Sequence, residues 1–242
     1  MSRAGLTFRP YPGLTVACAL LFAILCGLGT WQLERLQWKL ALIATVNGHM
    51  AAAPVSLEQI QAMKADDAQY RRVTLKGRFD HAKEAYVFTT DASGAAVYHV
   101  LTPFTAEDGK VLMVDRGEVP KEKLDPASRA SGNPTGEVQV TGVWRAPDAP
   151  GAFTPPPDIA HRIWYARDLA SIASADRLRL SAPVVVEADA TPNPGGWPKG
   201  GQTVVSFRNQ HLSYAVTWFG LAIVLLGVWF SYHISKGRIG WN

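Results

Sequence analysis

The sequence predicts an α+β membrane protein, with two transmembrane helices flanking a β-rich domain built as a small antiparallel barrel or sandwich. Three observations predict it. Gly13 to Trp31 holds no charged side chain, and the stretch between Arg208 and Lys236 holds no Asp, Glu, Lys or Arg. Each run reaches the ~20 apolar residues that a helix needs to cross ~30 Å of hydrocarbon. Between them, from Tyr70 onward, the apolar residues alternate with polar ones at the period of a strand.

The elements follow in order. Residues 1–12 form a short tail, 13–31 the first span, 32–210 the β-rich domain, 211–233 the second span and 234–242 a second tail. Trp31 closes the first span, and Trp218 and Trp229 sit within the second; such rings favour the membrane interface. A cleaved signal peptide is the alternative for the first span. Its exit, "CGLGTWQLERLQWK", offers no small-x-small cleavage site, and Leu25 is too large to precede a lipoprotein Cys26. Cys18 and Cys26 lie eight residues apart within this span, ~12 Å along a helix, too far to bridge. The domain has no cysteine and must fold on its own core.

Charge predicts the orientation. Of 24 basic and 20 acidic residues, only Arg3, Arg9, Lys236 and Arg238 lie outside residues 32–210, so the whole excess of +4 belongs to the tails. Short basic tails stay in the cytoplasm, which puts both termini inside and the domain in the periplasm of a multi-pass protein. No Arg-rich, Ser-rich transit segment precedes the first span, which favours a bacterial inner membrane over a mitochondrial precursor. The excess is no patch on a folded domain, so lipid is the expected contact and nucleic acid is not.

After Trp31 the apolar residues Leu33, Leu36, Leu40 and Ile43 recur at helical spacing, which extends the first helix out of the membrane to near Gly48. A short helix starts at Ser56, with Gln59 completing a capping box. "RVTLKGRF", "EAYVFTT", "VYHVLTPF", "KVLMVDRG", "VQVTGVWR" and "APVVVEA" read as strands, separated by turn signals at 91–94, 107–110 and 131–136. "RDLASIASA" (167–175) is the one helical interruption, and the Pro-rich stretches 146–158 and 191–201 are loops.

Enzyme motifs are missing: there is no HExxH, GxSxG, Walker loop or cysteine nucleophile in the domain, and no enzyme activity is expected. His49, His81, His99 and His161 are scattered, as surface or strand-face residues are. Asp115 and Arg116 read as turn-fixing charges, with a buried pair as the alternative. His211 differs because Tyr214, Trp218, Ala222, Leu225 and Trp229 share its helical face. Ser213, Gly220 and Gly227 lie opposite, and the first span has a small stripe of Ala19, Ala23 and Gly27. Packing small face to small face would aim His211 away from the helix pair. Two readings follow. The imidazole snorkels among headgroups, or it ligates a flat apolar cofactor such as haem, stacked on the aromatics. His233 is on the same face but ~33 Å further along, so the two histidines cannot serve one haem, and no second axial ligand is evident.

"LGTWQLERLQWK" (28–39), "YRRVTLKGRF" (70–79), "VLTPF" (100–104), "LMVDRG" (112–117), "PNPGGWP" (192–198) and above all "NQHLSYAVTWFGLA" (209–222) resemble the Surfeit-locus family of cytochrome c oxidase assembly factors. The likeness covers nearly the whole chain in order. It departs at Glu118, where the family carries an aromatic, and at Val97, where it carries Gly. The resemblance implies an assembly factor for an aa3-type oxidase that acts as a chaperone of haem a during maturation of subunit I. Subunit I is then the partner, with haem a synthase a second one. His211 is the implied axial ligand, with Tyr214 and Trp218 flanking the porphyrin. A structural scaffold that holds an assembly intermediate without touching haem is the alternative.

Overall fold

The computed structural model describes residues 6–91, 93–203, 205, 207 and 209–241. The ends of the two tails (1–5 and 242) and Arg208, which enter the charge reading, lie outside the described residues. The chain forms two compact units, residues 1–44 with 206–242, and residues 45–205.

The first unit holds β1 (Leu6–Phe8), most of α1 (Pro12–Ala51), and, from the far end of the chain, α5 (His211–Ser235) and β10 (Ile239–Trp241). Both helices are long and apolar enough to cross a membrane. Their outer faces carry Val16, Leu20, Ile24, Ile223, Val224 and Val228, all exposed. Water would penalise that much bare hydrocarbon, whereas lipid accepts it. These are the two transmembrane helices of an α+β membrane protein.

The seam between them differs from the expected one. Ala19, Ala23 and Gly27 face outward, as do Ser213 and Gly227, and a Cβ on Gly27, Gly220 or Gly227 would meet open space. Instead the covered positions of α1 include Thr15, Cys18, Phe22, Leu25, Gly29, Gln32, Leu36 and Lys39, and those of α5 include Ala215, Trp218, Ala222, Leu225, Trp229 and His233. The α1 stripe alternates steps of three and four, and the α5 stripe does so from Ala215 to Trp229 before a further step of four to His233, close to the 3.5-residue period of a left-handed helix pair. Large side chains share the seam with the buried Ala215 and Ala222, and of the glycines in the two helices only Gly29 is required to be small, because the Phe219 ring lies 2.7 Å from where its Cβ would be. Polar pairs pin the register: Trp229 Nε1 donates to Thr15 Oγ1 at 3.2 Å, and His211 meets Gln32. In hydrocarbon each polar group does best when it faces a partner. That preference outweighs close approach of small residues here.

At the opposite end from His211 the tails pair. β1 and β10 form an antiparallel ribbon with Phe8 opposite Ile239. Gly237 (φ 63°) ends α5 in a Schellman turn, its N–H donating to Ile234 and that of Arg238 to His233. The sequence reading assigned no structure to the two tails; strands of three residues are too short to set a period.

The second unit is β-rich. After β2 (Val55–Ser56), α2 (Leu57–Gln61) carries the expected capping box, Ser56 Oγ accepting from Gln59 N–H and Gln59 Oε1 accepting from Ser56 N–H. α3 (Ala65–Ala68) leads into β3 (Arg72–Phe79), β4 (Ala85–Thr90), β5 (Ala96–Ala106), β6 (Val111–Pro120) and β7 (Val138–Arg145). β8 (Ile163–Trp164), α4 (Leu169–Ala175) and β9 (Val185–Ala188) complete it. The sheet order is β2-β3-β7-β9-β6-β5-β4-β8, and β3 also pairs with β5. That extra pairing closes β3, β7, β9, β6 and β5 into a small barrel. Gly77 permits the closure, since a Cβ there would lie 2.1 Å from the Thr105 carbonyl.

All five barrel strands contribute to one core of Val73, Leu75, Phe104, Leu112, Val114, Trp144 and Val186, with Ile60 of α2 and Ala68 of α3 packed against it. β5 and β6 are buried on both faces. Met113, Leu101 and Val185 point to the other side and pack beneath α4 with Val87, Trp164 and Ile172. Double burial explains why "VLMVDRG" reads as a continuous apolar run and not as an alternating one.

Candidate functional site

His211 opens α5, and its Nδ1 lies 2.7 Å from Oε1 of Gln32, 179 residues earlier. An amide oxygen only accepts, so Nδ1 carries the proton and donates. Nε2 has no hydrogen bond to another described residue, and it is not among the buried orphan atoms. It is therefore the open nitrogen of the ring. Trp218 is half-buried in the seam, about two turns on. Tyr214 is 51% exposed and points outward. The structure thus brings His211 and Trp218 onto the inward side and leaves Tyr214 outside it. The expectation that His211 faces away from the helix pair is corrected: Gln32 turns it inward.

His233, on the same face, is closed. Its Nδ1–H donates to the Trp229 carbonyl at 2.8 Å, and its Nε2 accepts from the Tyr11 N–H at 3.1 Å. It is fully buried, with Trp229, Tyr11 and Tyr232 around it. Neither nitrogen is left for a metal.

Two charged networks, unseen in the sequence, lie in the β-rich unit. Asp115 and Arg116 are both buried, but adjacent strand positions point to opposite faces, so each has its own partners. Arg116 donates from Nη1 to Glu84 Oε1 at 3.2 Å and to Asn133 Oδ1 at 2.9 Å, and from Nη2 to the Gly132 carbonyl. Arg129 holds the other oxygen of Glu84. Burial pushes the Glu84 carboxyl up, but the hydrogen bond from His81 and the charges of Arg129 and Arg116 outweigh it and hold the group at about 2. This network ties the segment after β6 back to the start of β4.

On the other face, Asp115 Oδ2 accepts from His99 Nδ1 at 2.8 Å and from Arg167 Nη2 at 3.0 Å. Glu187 accepts from Arg145 at 3.0 Å and from Thr203 Oγ1 at 2.6 Å. Burial opposes ionisation of Asp115, but the charge and hydrogen bond of His99, then Arg167, keep its carboxyl at about 2. For His99, burial works against the charged form and Asp115 overrides it, raising the imidazole above its usual value. His99 borders two clefts of about 300 and 510 Å³ that share Thr89. The other histidines are tied up locally: His49 to the Gln69 carbonyl, His81 to Pro134 and Glu84, and His161 to Asp158. Among the described residues no three His, Cys, Asp or Glu side chains converge as metal ligands.

The sequence reading missed Gln32, Glu84, Arg129, Arg167 and Glu187. One signal was available. "VDRG" places two charges inside an apolar run, and charges buried in a strand need counter-ions.

Comparison with known proteins places this geometry in a family. Residues 19–223 match the SURF1 family. The chain is 35% identical to Surfeit locus protein 1 of Takifugu rubripes over 229 residues, 88% of this chain and 94% of that protein. It is 35% identical to the Mus musculus protein of that name, covering 88% of this chain and 73% of the relative. It is 36% identical to the Homo sapiens one, covering 84% and 72%. The matched span takes in both Gln32 of α1 and the His211 entry of α5, and the chain belongs to the SURF1 family.

Proposed function

We propose that this chain is an assembly factor for an aa3-type cytochrome c oxidase, and that it binds haem a through His211 and assists its insertion into subunit I. The observation that carries the reading is the state of the His211 ring. Nδ1 is anchored to Gln32 at 2.7 Å, and Nε2 has no hydrogen bond to another described residue. An imidazole held on one nitrogen and free on the other fits haem iron. Trp218, on the same side of α5 as His211, supplies ring area for the macrocycle, and Tyr214, which points outward, would reach it only by turning in. Haem a is cargo in this reading, and the chain holds it only until transfer. The scaffold reading has one observation in its favour: Phe153, in the Pro-rich loop 146–158, is completely exposed, as a protein-docking side chain is before its partner arrives.

The visible spectrum of the protein purified from cells that make haem a separates the two. Haem absorbance is expected, and His211→Gln should shift or abolish it while the protein still inserts and accumulates. Trp218→Phe keeps an aromatic face and should be mild. An unchanged spectrum and stoichiometry in His211→Gln returns His211 to the role of interfacial anchor. Deletion of the gene should lower aa3 oxidase activity and leave haem a synthesis intact; accumulation of haem o would point to a biosynthetic role instead.

The location proposed is the bacterial inner membrane with both termini cytoplasmic. It rests on the +4 of the tails against the neutral segment between them. Alkaline phosphatase fused after Asn133 should be active and fused after Asn242 inactive. The reverse pattern overturns the orientation.

A further inference from the structure

We propose that Gln32 is the positioning residue of the His211 site: it fixes His211 in the Nδ1–H tautomer and so makes Nε2 the atom offered to iron. The inference deepens the haem reading above and rests on it only for the identity of the ligand. Gln32 is largely buried in the seam between α1 and α5, and its Oε1 stands 2.7 Å from Nδ1. The register that brings them together is also fixed elsewhere along the seam, by Trp229 on Thr15 and His233 on the Tyr11 N–H. The imidazole is therefore held by a contact that the rest of the helix pair sets in place.

The tautomer decides function because an imidazole nitrogen binds iron only through its lone pair. A free histidine side chain prefers the proton on Nε2, which would occupy the ligand atom. An acceptor at Nδ1 reverses the preference and aims the ring. His233 supplies the contrast within the same helix: its Nδ1–H is held by the Trp229 carbonyl, yet its Nε2 is taken by a backbone N–H. Of the two histidines on this face, only His211 has one nitrogen held and the other open. The acceptor is also an amide and not a carboxylate. A carboxylate partner makes a ligating imidazole more basic and binds ferric iron more firmly; an amide holds the orientation with less of that effect. Weak electronic support with firm orientation suits a protein that must give its haem up.

The test uses the full chain in detergent, labelled with ¹⁵N-histidine, first without haem. The His211 nitrogens should report the Nδ1–H tautomer in the wild type, and the Nε2–H form should grow in Gln32→Leu, with the His233 signals unmoved in both. A wild-type His211 found in the Nε2–H form overturns the proposal before any variant is made. Haem a titrated into the same proteins should bind about ten- to a hundredfold more weakly to Gln32→Leu, the usual loss when an outer hydrogen bond to a ligating histidine is removed. Gln32→Glu should restore affinity and lower the reduction potential of the bound haem, a change that a merely structural role does not produce. Unchanged tautomer and affinity in Gln32→Leu sink the proposal even if His211 ligates. Equal haem binding by His211→Ala and wild type sinks the haem reading instead, and the tautomer measurement then stands alone.

Discussion

Glu84→Gln is expected to destabilise the β-rich unit by about 3–5 kcal/mol, the cost of stripping one partner from a buried ion network. The substitution keeps the shape and removes the charge. It leaves the buried Arg116 and Arg129 guanidiniums facing an amide, whose NH₂ group opposes their own donors. Arg116 would keep Asn133 and the Gly132 carbonyl, and Arg129 would keep Asn133 and the Lys123 carbonyl, but none of these carries negative charge. Glu84→Asp retains the charge on a shorter stem and should cost less. Urea unfolding of the detergent-solubilised protein, followed by its far-UV β-sheet signal, gives the difference. A loss below about 1 kcal/mol would place Glu84 with exposed pairs, which contribute little.

The elements of the β-rich unit were legible where local chemistry alone decides them. β3 and β7 fall where the alternation in "RVTLKGRF" and "VQVTGVWR" puts them, and the Ser56 capping box forms as its spacing requires. β8 was not legible, because two residues hold no period. It exists because Tyr86 and Val87 present an open edge that Ile163 and Trp164 fill. Closure of the barrel depends on β5 pairing with β4 along its first half and with β3 along its second, a long-range choice that no window of sequence contains.

The site was legible in part, for a similar reason. His211 stands out because a polar ring at the mouth of an apolar helix needs explaining, and the helical spacing names its neighbours. Which way it faces depends on α1. A reading based on small residues chose the wrong seam, since it weighed backbone approach and not the pairing of Gln32 with His211. The partners of Asp115 and Arg116 in the charged networks were invisible for a different reason. Glu84 and Arg129 are 45 residues apart, and each looks like an ordinary surface charge until the fold buries it.

Acid should unfold the β-rich unit, and its stability should peak between pH 4.5 and 6.5, the ordinary values of Glu84 and His99. The Glu84 and Asp115 carboxyls are held at about 2, down from 4.5 and 3.8. A carboxyl with a lowered folded value contributes stability that is fully present above its unfolded value and is lost as pH falls towards the folded one. Both contributions therefore decline below about pH 4.5 and are gone near pH 2. Each of the two groups is almost completely buried, so each supplies on the order of a few kcal/mol, and together they rival the net stability of an ordinary domain. His99 acts with the opposite sign. Its value is raised from 6.5, so its contribution is complete below that pH and fades as pH rises through the raised value. Asp115 faces it directly, while Arg167, which also holds Asp115, limits the rise. Melting temperatures of the detergent-solubilised protein from pH 2.5 to 9 should trace this dome, steep on the acid side and shallow on the alkaline one. Glu84→Gln should flatten the acid limb, because the variant has one fewer proton to take up on unfolding. A melting temperature that stays level from pH 7 down to pH 3 would mean that neither carboxylate is held by its buried partners.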